Sequence, residues 1–407
     1  MEKLQGKYPQ IRFPEFKDAW DHRKLSELLS ESKKRNEGLK FTKDDVLSVS
    51  GELGIVNQIE HLGRSYAGVS VHNYHVVDIG DIVYTKSPLK ANPFGIIKLN
   101  KGKAGIVSTL YAVYKVNAQN ACGEFIDNYF SLDANTNRYL RPLVKKGAKN
   151  DMKINNAYVL HDRIYTPSIE EQKRIASFFS VLDKKITELK QKKSLLENYK
   201  KGIIQKIFSQ EVKFKDDRGN EFPKWEKQKL GDYLVKYEEK TTENNQYPVL
   251  TSSRRGLFLQ KDYFDGNDVA SSDTTGYNVV PRNYFTYRHM SDDISFKFNI
   301  NTICDKGIVS TLYPVFTTKN INDKFLLLKL NEDLEFKKYA YIQKQGGSRT
   351  YMYFTKLSDL YLNLPSLPEQ EKIADFLMAL IARIKLCQEQ IDEMSDFKKG
   401  TLQQMFC

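Results

Sequence analysis

At 407 residues the chain exceeds the size at which a single core stops growing, so two domains are expected. With 28% charged and 40% hydrophobic residues, and with 24 Tyr and 23 Phe, a disordered chain is excluded; four scattered cysteines (Cys122, Cys304, Cys387, Cys407) without a CxxC support neither a disulfide framework nor a structural zinc centre. Lys plus Arg number 63 against 51 Asp plus Glu, and this balance of +12 favours an anionic partner such as nucleic acid.

The N-terminal stretch from Met1 to Pro14 alternates polar and apolar residues, with no signal-peptide core, and no run of about 18 apolar residues follows anywhere. A cytoplasmic protein with no membrane association is therefore expected. Trp20 and Leu25 open the first folded segment, Ile82-Val-Tyr84 reads as a strand, and Ile106 to Val116 reads as a longer one. Phe125 to Leu132 reads as a short helix. At Ser168 and Glu171 a capping-box spacing starts a long helix, whose apolar positions alternate by four and three: Ile175, Phe179, Leu182, Ile186, Leu189, Leu196, Ile203 and Ile207. Lys193 and Lys200 fall on the same seam, as breaks that fix register.

The second half repeats the first with a period near 200. Gly105-Ile-Val-Ser-Thr-Leu-Tyr111 recurs letter for letter as Gly307 to Tyr313, Trp20 and Leu25 recur as Trp225 and Leu230, and Val76-Val77 with Tyr84 recur as Val279-Val280 with Tyr287. The strand Ile308 to Phe316 and the short helix Lys324 to Leu330 follow in the same order. Pro167 to Ala176 matches Pro365 to Ala374, and adding 198 to the seam gives Ile373, Leu377, Leu380, Ile384, Cys387, Ile391, Met394, Lys398, Thr401 and Met405. Two such seams most simply pack on each other. Residues 170–210 carry ten bases and five acids whereas 368–407 carry five and seven, a complementarity that favours pairing. A two-fold relation between the halves makes the pair antiparallel, and residues 175 to 207 would span roughly 50 Å. The expected fold is α+β: two homologous, strand-rich mixed α/β domains separated by two long helices that pair as an antiparallel coiled coil. The expected segments are 1–167, 168–210, 211–365 and 366–407.

The Trp-x4-Leu-Gly-Asp entry at Trp225, Leu230, Gly231 and Asp232, the Gly-Ile-Val-Ser strand, the Gly-Gly-Ser-Arg loop at Gly346 to Arg349, and Pro-Ser-Leu-Pro-Glu-Gln opening a long helix, twice over, resemble the DNA-specificity subunit of type I restriction-modification systems. The first copy departs from that pattern, with Ser26 in place of a glycine and Gly147-Ala-Lys-Asn150 for the loop. The resemblance implies that each globular domain is a target-recognition domain reading half of a bipartite, asymmetric duplex sequence. It also implies that the helices set the gap and bind two modification (methyltransferase) subunits, and that a restriction (nuclease/translocase) subunit joins them.

Base and phosphate contacts need flexible basic and amide side chains on loops. In the second domain the candidates are Gln343, Lys344, Gln345, Ser348, Arg349, Thr350 and Tyr351, then Arg288 and His289, and Arg254 and Arg255. In the first they are Lys86, Ser87, Lys90, Asn92, Lys145, Lys146, Lys149 and Asn150. Glu171, Ile175 and Phe178, with their second-copy counterparts, are candidates for holding partner subunits. The shared Gly-Ile-Val-Ser-Thr-Leu-Tyr segment reads as core, because two heads with different targets would not share base-reading letters.

No catalytic residues, metal or cofactor are expected. Glu171-Gln172-Lys173 has the E-x-K form of a metal-dependent nuclease, but its repeat, Glu369-Gln370-Glu371, loses the lysine. Asn92-Pro93-Phe94 lacks the second proline of a methyltransferase motif, no phosphate-binding Gly-Lys loop occurs, and His72 with His75 lacks further ligands at zinc spacing. The rival to a DNA-reading subunit is a coiled-coil scaffold or an RNA-binding protein with tandem domains.

Overall fold

The computed structural model describes residues 7–68, 70–146, 152–263, 272–344 and 349–406. The chain divides into two compact units: Met1–Lys190 with Glu389–Cys407, and Gln191–Gln388. The division falls inside both long helices, Ile169–Phe208 and Leu367–Met405, so each unit is a globular head plus half of each helix.

The two units share one plan. In unit 1 a four-stranded antiparallel sheet runs in the order Leu29–Glu31, Tyr111–Val116, Ile82–Thr85, Ile96–Leu99; in unit 2 the order is Leu234–Tyr237, Val315–Thr318, Phe285–Tyr287, Phe298–Ile300. Around it sit matching pairs: Leu47–Ser50 with Gly54–Asn57 and Leu250–Ser253 with Gly256–Leu259, then His75–Val77 with Gly105–Val107 and Asn278–Pro281 with Lys306–Val309. Alternating β-branched and aromatic residues favour these strands, and the inward set forms the core. One helix covers each sheet, Gly123–Ser131 in unit 1 and Asp323–Glu332 in unit 2, as the sequence predicts.

The single strands expected over 106–116 and 308–316 are each two strands. Tyr111 N–H donates to the Ser108 carbonyl and Tyr313 N–H to the Ser310 carbonyl, so the backbone turns within the shared motif. Gly-Ile-Val is buried in both copies, but Leu110 and Leu312 are exposed on the turn, so only the first half of the motif is core. Both glycines are tightly packed: a Cβ on Gly105 would lie 2.5 Å from the Asp45 carbonyl oxygen, and one on Gly307 would lie 2.4 Å from Leu250 Cδ1.

The seam read from the sequence faces inward along both helices, every one of its positions being buried or half-buried. Within unit 1 the helices pair antiparallel: Ile186 and Leu189 pack on Ile391, the Lys398 ammonium meets the Asp183 carboxylate, and Phe179 lies against Phe406. Within unit 2, Ile204, Ile207 and Phe208 share a core with Ile373, Ala374 and Leu377. Phe406 closes the unit 1 core against Trp20, Phe125 and Tyr129. At the matching place in unit 2, Lys329 is buried over the rings of Phe208 and Trp225, its ammonium 2.7 Å from Glu335. Burial of a lysine is tolerated because paired carboxylates and ring faces replace its water.

The Glu-Gln pair at each helix start is an anchor. Gln172 Oε1 accepts from Cys122 N–H while its Nε2 donates to the Asn120 and Pro167 carbonyls; Gln370 repeats this with Asn322 N–H and the Pro365 carbonyl. The capping box expected at these starts is incomplete. Ser168 Oγ does accept from Glu171 N–H, but the Glu171 carboxylate goes to Arg12, and Ser366 Oγ has no partner among the described residues. A guanidinium outcompetes a backbone N–H for a carboxylate because both partners are charged.

Candidate nucleic-acid interface

In unit 2 most of the described candidates converge. The strand Phe285–Tyr287 delivers exposed Arg288 to a cleft of about 320 Å³, lined also by Arg254, Ser291, Asp292, Lys297 and Tyr313, and is followed by buried His289. The fold gathers them by pairing Met290–Ser291 with Thr350–Tyr351, which carries Arg349 to Asp292, Nε to Oδ1 at 3.0 Å. Arg254 Nη1 donates to Asp293 Oδ2 at 2.8 Å, and the Arg254 guanidinium holds the Asp293 carboxyl down at about 2. Two guanidinium groups are thus pinned by aspartates while staying more than half exposed, the pre-organisation suited to bidentate contacts.

Beside them stands an aromatic stack. His289 lies on Tyr353 with ring centroids 4.9 Å apart, and Tyr351 lies on Tyr353 at 5.7 Å with planes 11° apart. The His289 ring is fixed from behind by the Leu312 carbonyl in the shared turn. Thr350 is buried, so it positions its neighbours; Arg255 lies over the Tyr263 ring. Gln343 and Lys344 follow the helix Leu334–Ile342, half-buried and exposed respectively, whereas Gln345 and Ser348 lie outside the described residues. Asp292, Asp293, Lys297 and Tyr353 were not among the sequence candidates. Two adjacent acids just after a basic candidate loop are the signal that could have found the first two. Burial holds the Lys297 ammonium below the usual lysine range.

Unit 1 presents a different surface on the same frame. Ser87 and Lys90 are exposed and Lys86 is half-buried, on the loop that follows Ile82–Thr85. Asn92 is buried, and its carbonyl accepts from Leu89 and Gly95 N–H, both at 3.0 Å, so it shapes this loop. The loop packs on the helix Asp133–Leu140 through Asn137 Nδ2 and the Ala91 carbonyl; Pro93, Phe94, Arg138, Arg141 and Pro142 line an open groove of about 840 Å³ there. Arg138 and Arg141 are cations of this groove that sequence reasoning passed over, because they sit in a helical stretch with no loop signal. Lys145 and Lys146 form a strand that pairs with Met152–Lys153, with Lys145 exposed; Lys149 and Asn150 lie outside the described residues.

The helix candidates are placed inside the units. Glu171 is 1% exposed and holds the Arg12 guanidinium at 2.6 and 2.7 Å, with the Trp20 indole donating at 3.3 Å. Ile175, Phe179, Leu182, Ile186, Ile373, Leu377, Leu380, Ile384 and Ile391 line the seam or the head cores, Leu196 is half-buried, and half-buried Phe178 packs on Phe13. Among the described residues no cluster of three His, Cys, Asp or Glu could hold a metal, and no helix is long and apolar enough to cross a membrane.

The sequence matches the family described as the type I restriction modification DNA specificity domain over residues 17–198 and again over 223–395. A relative from Methanocaldococcus jannaschii, named for the specificity subunit of the MjaX type I restriction enzyme, is 34% identical over 93 residues, which span 22% of this chain and 22% of that protein. Among solved structures, the S subunit of a type I restriction-modification system from M. genitalium superposes with a TM-score of 0.57 at 11% identity, covering 98% of this chain and 99% of that one. The HsdS subunit from Thermoanaerobacter tengcongensis superposes with a TM-score of 0.47 at 15% identity, over 100% of this chain and 99% of that one. Two matched copies that together take in most of the chain, on a duplicated frame with paired helices, settle the family: this chain belongs to the type I restriction-modification DNA specificity domain family.

Proposed function

We propose that this chain is the DNA-reading component of a type I restriction-modification complex, recognising a split, asymmetric duplex sequence with one unit per half-site. The observation that carries this is the unit 2 cleft, where Arg254 and Arg349 are held by Asp293 and Asp292 beside exposed Arg288 and the Tyr351–Tyr353 stack. An arginine fork fixed by a carboxylate suits the paired acceptors of a guanine edge, and exposed lysines suit phosphates. Unit 1 offers Lys86, Lys90 and Lys145 with Arg138 and Arg141 instead, so the half-sites should differ.

The chain would act as a recognition component and leave catalysis to its partners: two modification subunits carrying the methyltransferase and a restriction subunit, all in the cytoplasm where the genome lies. Residues 1–167 and 211–365 would be the target-recognition domains, with 168–210 and 366–407 as spacer helices. One heptad added to both helices, about 10 Å at 1.5 Å per residue, should lengthen the recognised gap by roughly three base pairs at about 3.4 Å per step. The decisive experiment expresses the chain with the modification subunit of its own genome and maps methylated bases across the host DNA. A gapped, asymmetric motif that vanishes when the chain is deleted is the expected result; methylation indifferent to the deletion overturns it.

A further inference from the structure

The duplication supplies its own control for one buried carboxylate. Glu171 and Glu369 occupy the same place at the start of the two long helices, 198 residues apart, each beside the tryptophan of its unit. The segments that pack over them correspond as well: Phe13 meets Phe178 edge-on at 5.9 Å, and Phe214 meets Phe376 at 5.8 Å. The residue before that phenylalanine is Arg12 in unit 1 and Lys213 in unit 2. Arg12 fills its site, donating Nε and Nη2 to the two Glu171 oxygens. Lys213 is exposed, and Glu369 is left 4% exposed with Oε2 lacking any partner among the described residues.

The space that the guanidinium takes in unit 1 is open in unit 2. A cavity of about 100 Å³ is lined by Glu369 and Trp225, with Val212, Phe214, Phe222 and Pro223 as apolar walls and Lys213, Lys224 and Glu221 also among its lining. An ionised carboxylate left unpaired in such a place costs free energy, and burial accordingly raises the Glu369 carboxyl above its usual range, against the Trp225 hydrogen bond and the Lys213 charge. An open carboxylate, an aromatic neighbour and apolar walls match a planar fork of N–H donors better than a compact ammonium.

We propose that this cavity is a binding site for a guanidinium group, held on both oxygens of Glu369 beside Trp225 as Arg12 is held on Glu171 beside Trp20. The group comes either from an arginine side chain of a bound protein or from a free guanidinium compound. The site is separate from the cleft around Arg254 and Arg349, so it stands or falls apart from DNA reading.

Trp20 and Trp225 are the only tryptophans of the chain, which makes the site directly visible. The full chain labelled with 5-fluorotryptophan is titrated with methylguanidinium, with methylammonium as control, and followed by fluorine NMR, the two resonances being assigned with Trp225→Phe. Methylguanidinium should move the Trp225 resonance saturably and leave Trp20 in place, and methylammonium should act at least about tenfold more weakly. Glu369→Gln should remove the response. Lys213→Arg, which supplies the fork from within, should place Trp225 at its bound position without ligand and abolish the titration; this variant carries the test should Glu369→Gln fail to fold. In a complex purified with the modification subunit, a Trp225 resonance already at the bound position assigns the fork to an arginine of that subunit, and one still moved by methylguanidinium assigns it to a free compound. No saturable movement of Trp225, or equal movement in Glu369→Gln, overturns the proposal.

Discussion

Units 1 and 2 share a frame to within individual hydrogen bonds, yet differ wherever the frame meets solvent or buries a charge. Gln172 and Gln370 anchor their helices through matching bonds, and the four-stranded sheets keep the same order. The strand after the matching loop of each head pairs differently: Thr350–Tyr351 reaches Met290–Ser291, while Met152–Lys153 pairs with Lys145–Lys146. That single change of partner gathers an arginine, a histidine and two tyrosines on unit 2 and leaves unit 1 with a lysine-bearing hairpin. Duplication followed by loop divergence yields two surfaces on one scaffold, because loops change without unsatisfying the ladder hydrogen bonds of the sheet.

The sharpest break in the comparison is at the buried glutamates. Arg12→Ala strands Glu171 without its cation and should destabilise unit 1 by about 3–5 kcal/mol, whereas Lys213→Ala in unit 2 should stay within about 0.5 kcal/mol; denaturant unfolding monitored by hydrogen exchange within each unit checks both. Acid separates the units next. Burial, aided by the Arg35 charge, pushes the His75 imidazole down to about 4, and its unit 2 counterpart, Asn278, does not titrate. A depressed folded value means that the unfolded chain takes up the proton first, so unit 1 loses stability as pH falls from about 6.5 towards about 4, by on the order of 3 kcal/mol. His75→Asn should flatten that dependence, and an unchanged pH profile would contradict the assignment.

The shared glycines give a smaller contrast. Gly105→Ala drives a methyl into the Asp45 carbonyl, which is backbone, while Gly307→Ala meets the Leu250 side chain, which can repack. Overpacking costs of about 1–3 kcal/mol are expected, with Gly105→Ala at the upper end and Gly307→Ala at the lower; thermal unfolding of the two variants ranks them. On DNA, Arg349→Ala should weaken binding by about 1–3 kcal/mol and relax one position of the half-site read by unit 2. Lys90→Ala should instead weaken all sequences alike and lower the salt slope by about one. Loss of sequence preference from the lysine variant, with none from the arginine variant, would reverse the roles assigned to the two surfaces.

The heptad seam was fully legible, because its period is local and every position from Ile175 to Ile207 and from Ile373 to Met405 faces inward. The short helices at Gly123–Ser131 and Asp323–Glu332 were legible for the same reason. The turn at Ser108 and Ser310 was not: a run of β-branched and aromatic residues conceals a break that tertiary packing imposes. The candidate interface was half legible. Arg254, Arg288, His289 and Arg349 were found as basic residues on loops, but their aspartate partners and Tyr353 follow from which strand pairs with which.

By itself, the sequence determined the duplication, the paired helices and the family, since these rest on order, period and identity along the chain. Only the tertiary structure decided where the charges go. Glu171 reads as a capping-box residue that could hold a partner subunit, and becomes the buried partner of Arg12, 159 residues away; Glu369, in the matching place, keeps an oxygen unpaired among the described residues because Lys213 stays in solvent. Periodicity is a local property of the backbone, whereas the partner of a buried charge is set by the distant segment that packs against it, and no spacing along the chain encodes that distance.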